Sequence, residues 1–110
     1  MELKRGWIVA AAGPGEYSRK PRPFLVVQSD AFNAVHASVT LCPITSEVAA
    51  PSFFRLRIEP SALNGLTGSS DIQIDKVQSL RRDRIRSRIG ELDDTGMSRV
   101  DEALRIWLEL

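Results

Sequence analysis

Apolar residues along this chain fall in short runs punctuated by glycine, proline and asparagine, and only the last segment changes to a longer repeat. Residues 6–12 (GWIVAAA) are apolar and partly β-branched, which predicts a first strand buried on both faces. Gly13-Pro14-Gly15 ends it, because neither residue type suits a strand interior. Phe24-Leu25-Val26-Val27-Gln28 is the clearest strand signal, and Ser29 to Asn33 has the form of a capped single helical turn. Val39 to Ile44 predicts a third strand, with Pro43 marking an edge, a bulge or a strand end. From Phe53 to Ile58, Phe54, Leu56 and Ile58 alternate with Phe53, Arg55 and Arg57, as in a half-buried strand. Asn64-Gly65 marks a turn, residues 72–77 predict a fifth strand, and residues 87–92 a sixth.

The period then lengthens. Met97, Val100, Leu104, Trp107 and Leu108 recur at helical spacing, with Arg99, Asp101, Glu102, Arg105 and Glu109 on the other side. Asp94 or Thr95 caps the start, and membership of the stripe assigns Trp107 to the core. Five or six short strands followed by one amphipathic helix predict a mainly β (α+β) chain. The architecture expected is an antiparallel barrel or curled sheet with a helix packed on it, forming one domain over residues 1–110.

Composition narrows the class without naming a function. With 110 residues, 43% hydrophobic and 26% charged, the chain fits one modest core, so a surface site or one shared between subunits is expected. No run approaches the roughly 20 apolar residues that span a bilayer, and the opening Met1-Glu2-Leu3-Lys4-Arg5 has no signal-peptide character. A single cysteine, Cys42, leaves no intramolecular disulfide framework. The expectation is a cytoplasmic protein with no membrane association.

Net charge is +1, so only the distribution of charge is informative. Arg81, Arg82, Arg84, Arg86 and Arg88 are crowded together, and Arg19, Lys20 and Arg22 form a second basic cluster. If residues 82–88 are extended, Arg82, Arg84, Arg86 and Arg88 project from one face and Ile85 and Ile89 from the other. Such a ladder would track a nucleic-acid backbone or pair with an acidic tail. It is equally the charged edge that keeps strands from aggregating.

Several chemistries are excluded by inventory. There is no Gly-Lys-Ser/Thr phosphate loop, and one histidine with one cysteine makes no zinc site of ordinary composition. His36 is alone, which rules out a two-histidine acid–base pair within a protomer and leaves it a solvent-exposed structural residue. Arginine, lysine, threonine, serine and carboxylates remain, and these suffice to cut RNA. The substrate supplies its own nucleophile, the ribose 2′-hydroxyl, and the protein has only to align it and stabilise charge on the phosphorane. An arginine fork holds two phosphate oxygens and a threonine hydroxyl adds an oriented donor, with no metal required.

Four stretches resemble the MazF/PemK (Kid) toxin family, in the same order and at similar spacing. Arg5-Gly6-Trp7-Ile8-Val9 is similar to the family's opening RGDIW/V strand. Arg22-Pro23-Phe24-Leu25-Val26-Val27-Gln28-Ser29-Asp30, followed by Phe32-Asn33, resembles RPALVVQSDxFN. Cys42-Pro43-Ile44-Thr45-Ser46 resembles the PITS element, and Asp75-Lys76-Val77-Gln78-Ser79-Leu80 looks like DQVKSL. The resemblance implies an SH3-like small β-barrel of the CcdB/MazF/Kid type with a C-terminal helix. It also implies a homodimeric, metal-independent endoribonuclease of single-stranded RNA, restrained by a cognate antitoxin with an acidic, partly disordered tail.

By the same resemblance, Arg22 and Thr45 are the catalytic pair. Read without it, they are an exposed strand-end arginine and a turn-capping threonine. The loop from Gly13 to Lys20 would lie over the RNA groove, with Glu16, Tyr17, Arg19 and Lys20 as substrate contacts. Ser46, Gln78, Ser79, Arg82, Arg84 and Arg86 complete the expected binding set. The chain departs from the family's Gly-x-Glu-Gln-x-Gly-x-Arg-Pro loop: Gly15-Glu16-Tyr17-Ser18-Arg19-Lys20-Pro21-Arg22-Pro23 keeps the Glu but lacks the Gln and the second Gly. Two other functions stay open at this point: a CcdB-like gyrase poison, and a non-catalytic SH3-like module binding nucleic acid or peptide.

Overall fold

The computed structural model describes residues 2–12 and 20–110. Within them run strands β1 (Trp7–Ala11), β2 (Arg22–Val26), β3 (Ser38–Thr45), β4 (Arg55–Ile58), β5 (Ser70–Gln73), β6 (Gln78–Arg81) and β7 (Ile85–Glu91). A single turn of helix, α1 (Asp30–Asn33), precedes β3, and α2 (Asp94–Leu108) closes the chain. Every ladder is antiparallel, in the order β4-β5-β3-β2-β1-β7, with β6 paired to the first half of β3.

The period-2 alternation of strand side chains sorts the apolar residues into two cores. Val9, Ala11, Phe24, Val26, Val39, Leu41 and Leu80 point one way and pack with Leu3, Trp7 and Ile85. This is the interior of a small barrel whose staves are β7, β1, β2, β3 and β6. Its ring closes through the chain itself, at the 3₁₀ turn Arg82–Arg84 that joins β6 to β7. Ile8, Leu25, Val27, Cys42 and Ile44 point the other way. They pack under Leu56, Ile58, Ile72, Ile74 and, from α2, Val100 and Ala103. Because β1 and β2 serve both cores, their runs are continuously apolar, as expected of a first strand buried on both faces.

Seven strands stand where five or six were expected, for a reason of register. The segment expected as one strand over residues 72–77 must pair with both halves of the same β3 edge. β5 meets the end of β3 through Ile44 and Ile72, and β6 meets its start through Leu41 and Gln78. A 3₁₀ turn, Ile74–Lys76, makes the step, anchored by the fully buried Ile74 and by the bidentate pairing of Asp75 with Arg55 at 2.7 and 2.9 Å.

Three further expectations are corrected. The arginine ladder does not form: Arg82–Arg84 is a 3₁₀ turn, β7 begins only at Ile85, and register shifts leave Arg86 and Ile89 without partners on β1. Arg88 instead lies over the ring of Trp7 at 4.4 Å and bonds Glu91 at 3.1 Å. The helix cap is Asp93, whose Oδ1 accepts from the Gly96 N–H at 2.7 Å, in place of Asp94 or Thr95. Trp107 is 44% exposed. Val100 of the stripe and its neighbour Ala103 are buried, whereas the Trp107 ring stays exposed in the last turn, tilted at 5.6 Å from the ring of Phe54.

Candidate active site

Arg22 is the first residue of β2 and Thr45 the last of β3. The β2–β3 ladder pairs Val26 with Leu41, Leu25 with Cys42 and Phe24 with Pro43. The same register continued two places sets Arg22 opposite Thr45. On its other side Arg22 is paired with Ala11, which also meets Ile85. Thr45 is paired with Asp71, and Asp71 with Arg57. One row of residues therefore crosses the sheet, Ile85-Ala11-Arg22-Thr45-Asp71-Arg57, with side chains on the face away from the helix.

The two central side chains are in different states. Arg22 is exposed and, among the described residues, makes no hydrogen bond or ion pair. Thr45 is half-buried, and its Oγ1 accepts the Glu47 N–H at 3.1 Å. That bond fixes the oxygen while leaving the hydroxyl proton to donate outward. Ser46, next in the chain, is exposed.

Lys20 stands at the entrance to β2, also exposed. Arg84 is brought to the same end of the sheet by its carbonyl, which accepts the Ala12 N–H at 3.0 Å, and the exposed Arg86 bulges from β7 between the partners of Ala10 and Ala11. Lys20, Arg22, Thr45, Ser46, Arg84 and Arg86 thus gather at one end of β1, β2 and β3. Glu16, Tyr17 and Arg19 lie outside the described residues.

Three expected contacts sit elsewhere. Gln78 is in register with Leu41 and Ser79 with Thr40, so they lie roughly 13 and 16 Å along β3 from Thr45 at about 3.3 Å per residue. The Ser79 hydroxyl is within 3.5 Å of that of Thr40, on the opposite face from Thr45. Arg82 is tied by its backbone N–H to the Ala37 carbonyl, at the start of β3. His36 is exposed, its ring bonded to Ser38, as a structural residue would be.

Sequence reasoning missed Asp71. It is 1% exposed, its Oδ1 accepting from Arg57 Nε at 2.7 Å and its Oδ2 from the Ala49 N–H at 2.8 Å. Burial alone would raise its pKa. The Arg57 hydrogen bond, the Ala49 N–H and the charges of Arg57 and Arg55 outweigh that effect and hold the carboxyl below its ordinary value. The available signal was a strand with arginines at alternate positions, Arg55 and Arg57, followed by two aspartates four residues apart, Asp71 and Asp75. Among the described residues, no group of three or more His, Cys, Asp or Glu is arranged to hold a metal ion. No described helix is long and apolar enough to cross a membrane.

These elements define a small curled antiparallel barrel with basic residues gathered at one end of β1, β2 and β3. Residues 4–108 match the sequence profile of PemK-like, MazF-like toxins of type II toxin–antitoxin systems. The chain is 42% identical over 106 residues to the probable endoribonuclease MazF of Mycolicibacterium smegmatis, covering 96% of each protein. Among solved structures, the Mycobacterium tuberculosis toxin MazF-mt6 has the same fold, with a TM-score of 0.80 at 24% identity, over 94% of this chain and 97% of that one. MazF in a MazE–MazF crystal structure from Deinococcus radiodurans superposes with a TM-score of 0.78 at 26% identity, over 100% of this chain and 99% of that one. The chain belongs to the PemK-like, MazF-like family of type II toxins and is an endoribonuclease of that kind. The gyrase-poison and non-catalytic readings give way to it.

Proposed function

We propose that this chain, acting as one domain over residues 1–110 in a cytoplasmic homodimer, cuts single-stranded RNA at defined sequences without a metal ion. The 2′-hydroxyl attacks the adjacent phosphorus and gives up its proton to water, the bond to the 5′-oxygen breaks, and that oxygen takes up a proton from water, so the products carry 2′,3′-cyclic phosphate and 5′-hydroxyl ends. Arg22 holds the non-bridging oxygens and stabilises the charge that develops on them, and the Thr45 hydroxyl donates a hydrogen bond to the same phosphate. Lys20, Ser46, Arg84 and Arg86 bind the flanking phosphates, and Glu16, Tyr17 and Arg19 belong to the substrate loop. Gln78, Ser79 and Arg82 contribute to the more distant part of the RNA track. A cognate antitoxin covers this basic end and blocks it. The observation that carries the reading is the row position of Arg22 opposite Thr45, with the arginine unpaired among the described residues and the threonine fixed.

The test is incubation of a long single-stranded RNA in excess EDTA with the parent protein and with Arg22→Ala, the ends then being mapped by primer extension. Discrete cuts by the parent alone, with the stated end groups, are expected. Cuts that vanish in EDTA, or persist unchanged in Arg22→Ala, refute the mechanism.

A further inference from the structure

The residue beside Thr45 on its far side is a buried carboxylate with no role in the chemistry just described. Asp71 is Cα partner to Thr45 on one side and to Arg57 on the other. Its side chain is closed off from any substrate and each oxygen already accepts a hydrogen bond, so it is not a general base. The bonds it makes lead instead to the segment that follows Thr45.

After Thr45 the chain leaves β3 and returns to β4 through residues 46–54, nearly all exposed up to Pro51. A loop of that kind has little apolar contact to hold it. It is held at Ala49, on both of its backbone groups. Asp71 Oδ2 takes the Ala49 N–H at 2.8 Å, and Arg57 Nη2 donates to the Ala49 carbonyl at 2.8 Å. Arg57 and Asp71 are themselves joined at 2.7 Å. The three bonds make a closed clasp in which an ion pair replaces a missing ladder pair. With the Thr45 Oγ1 bond to the Glu47 N–H at 3.1 Å, the clasp pins the loop at two points, two and four residues past Thr45.

We infer that Asp71, with Arg57, is a positioning residue. The clasp on Ala49 sets the path of the chain through Ser46 and Glu47 and so fixes the orientation of the Thr45 hydroxyl and the placing of Ser46. The ionised state is essential. An amide in place of the carboxylate presents an NH₂ group to one of two donors, Arg57 Nε or the Ala49 N–H, and one arm of the clasp opens. Arg57 serves through its fork, since one Nε and one Nη reach two different acceptors, which a lysine ammonium cannot reproduce with the same geometry.

The inference rests on the proposed role of Thr45, and its test is a double-mutant cycle of Asp71→Asn and Thr45→Ala on the full chain. The substrate is a short RNA carrying a mapped cut site, and kcat and KM are measured separately. Asp71→Asn alone is expected to lower kcat about fivefold to tenfold, no further than Thr45→Ala does, with KM changed less than twofold. In the Thr45→Ala background the same substitution should slow cleavage by less than twofold, because there is no longer a hydroxyl to orient. An equal loss in both backgrounds, or an unchanged kcat in Asp71→Asn, overturns the inference. If Asp71→Asn lacks the parental far-ultraviolet circular dichroism, Arg57→Lys takes its place in the cycle with the same two criteria. A Thr45→Ala protein that cleaves at the parental rate refutes the site assignment itself, whereas a slow Thr45→Ala with a fast Asp71→Asn refutes only the positioning role.

Discussion

Arg22 and Thr45, the outermost residues of adjacent strands, share one cross-strand row although the β2–β3 ladder itself runs only over three pairs inward of them. This location frees both side chains from the packing that fills the rest of the strands. Phe24 and Leu41 on the same face are buried in the barrel, whereas Arg22 is exposed. The strands carry the fold and their ends carry the chemistry.

Arg22→Ala should therefore separate activity from stability. The side chain makes no bond with described residues, so its loss should shift stability by no more than about 0.5 kcal/mol, the range usual for surface changes. Cleavage should fall by at least about 100-fold, the effect of removing one preorganised donor from a charged transition state. Thr45→Ala should cost about tenfold in kcat, equivalent to roughly 1.4 kcal/mol, with less change in RNA affinity. Thermal denaturation beside cleavage kinetics checks both; a large loss of Tm in Arg22→Ala would contradict its isolation.

Asn64-Gly65 presses against β7 and gives a second prediction. Gly65 has φ of 69°, and a Cβ placed there would meet the carbonyl oxygen of Ile89. That oxygen is backbone, so it does not relax by a rotamer change. Gly65→Ala should lose about 1–2 kcal/mol for the left-handed conformation alone, before the clash is counted. That corresponds to a Tm lower by at least 4 °C, taking about 4–8 °C per kcal/mol for a domain near this size. Gly68→Ala is the control, since a Cβ there meets nothing within 4 Å and its φ is ordinary. Similar Tm values for the two variants would refute the close approach.

These relationships show what sequence alone could deliver. The strands of the barrel were legible where side-chain period and β-branching agreed, as in residues 6–12 and 24–28. The helix was legible from its stripe. What failed depended on partners distant in sequence. Nothing within residues 72–83 reveals that one β3 edge must be shared by two strands, so the 3₁₀ turns and β6 were missed. The arginine run makes a ladder only if residues 82–88 are extended throughout, and the turn at Arg82–Arg84 breaks that condition. Arg22 and Thr45 came from motif resemblance, since an isolated arginine and threonine have no periodicity to betray them. Asp71 was invisible for a different reason: its significance lies in bonds to Ala49 and Arg57, on two other segments.

Cys42 lies at the centre of β3 with no exposed surface, and burial pushes its thiol pKa up to about 12. Thiolate is the reactive species, so the folded protein should resist alkylation at pH 8, where an ordinary exposed cysteine with pKa of about 8.5 reacts readily. Mass spectrometry after iodoacetamide treatment should find the native chain unmodified and the chain in denaturant singly modified. Full modification within minutes under native conditions would show that β3 opens locally.

Acid stability follows from the clasp and from its neighbour Asp75. The hydrogen bond from Arg55 is the largest influence on Asp75 and, against the cost of burial, lowers its pKa below the ordinary value. Asp71 is lowered too. A carboxyl with a depressed folded-state pKa binds more protons when unfolded, so its stabilising contribution is complete above the unfolded value of about 3.9 and is lost as pH falls toward the folded one. Stability should thus be nearly flat from neutral pH to about 5 as far as these two groups decide it, and decline steeply below about 4. Asp75→Asn removes the bidentate partner of a half-buried arginine and should cost about 1–3 kcal/mol at pH 7. The gap between parent and variant should narrow as pH falls below 4, because protons then bind Asp75 of the unfolded parent chain in preference to the folded one. Urea denaturation at pH 7, 5 and 3.5 measures both curves; a gap that stays constant to pH 3.5 would mean that the ion pair contributes nothing through its charge.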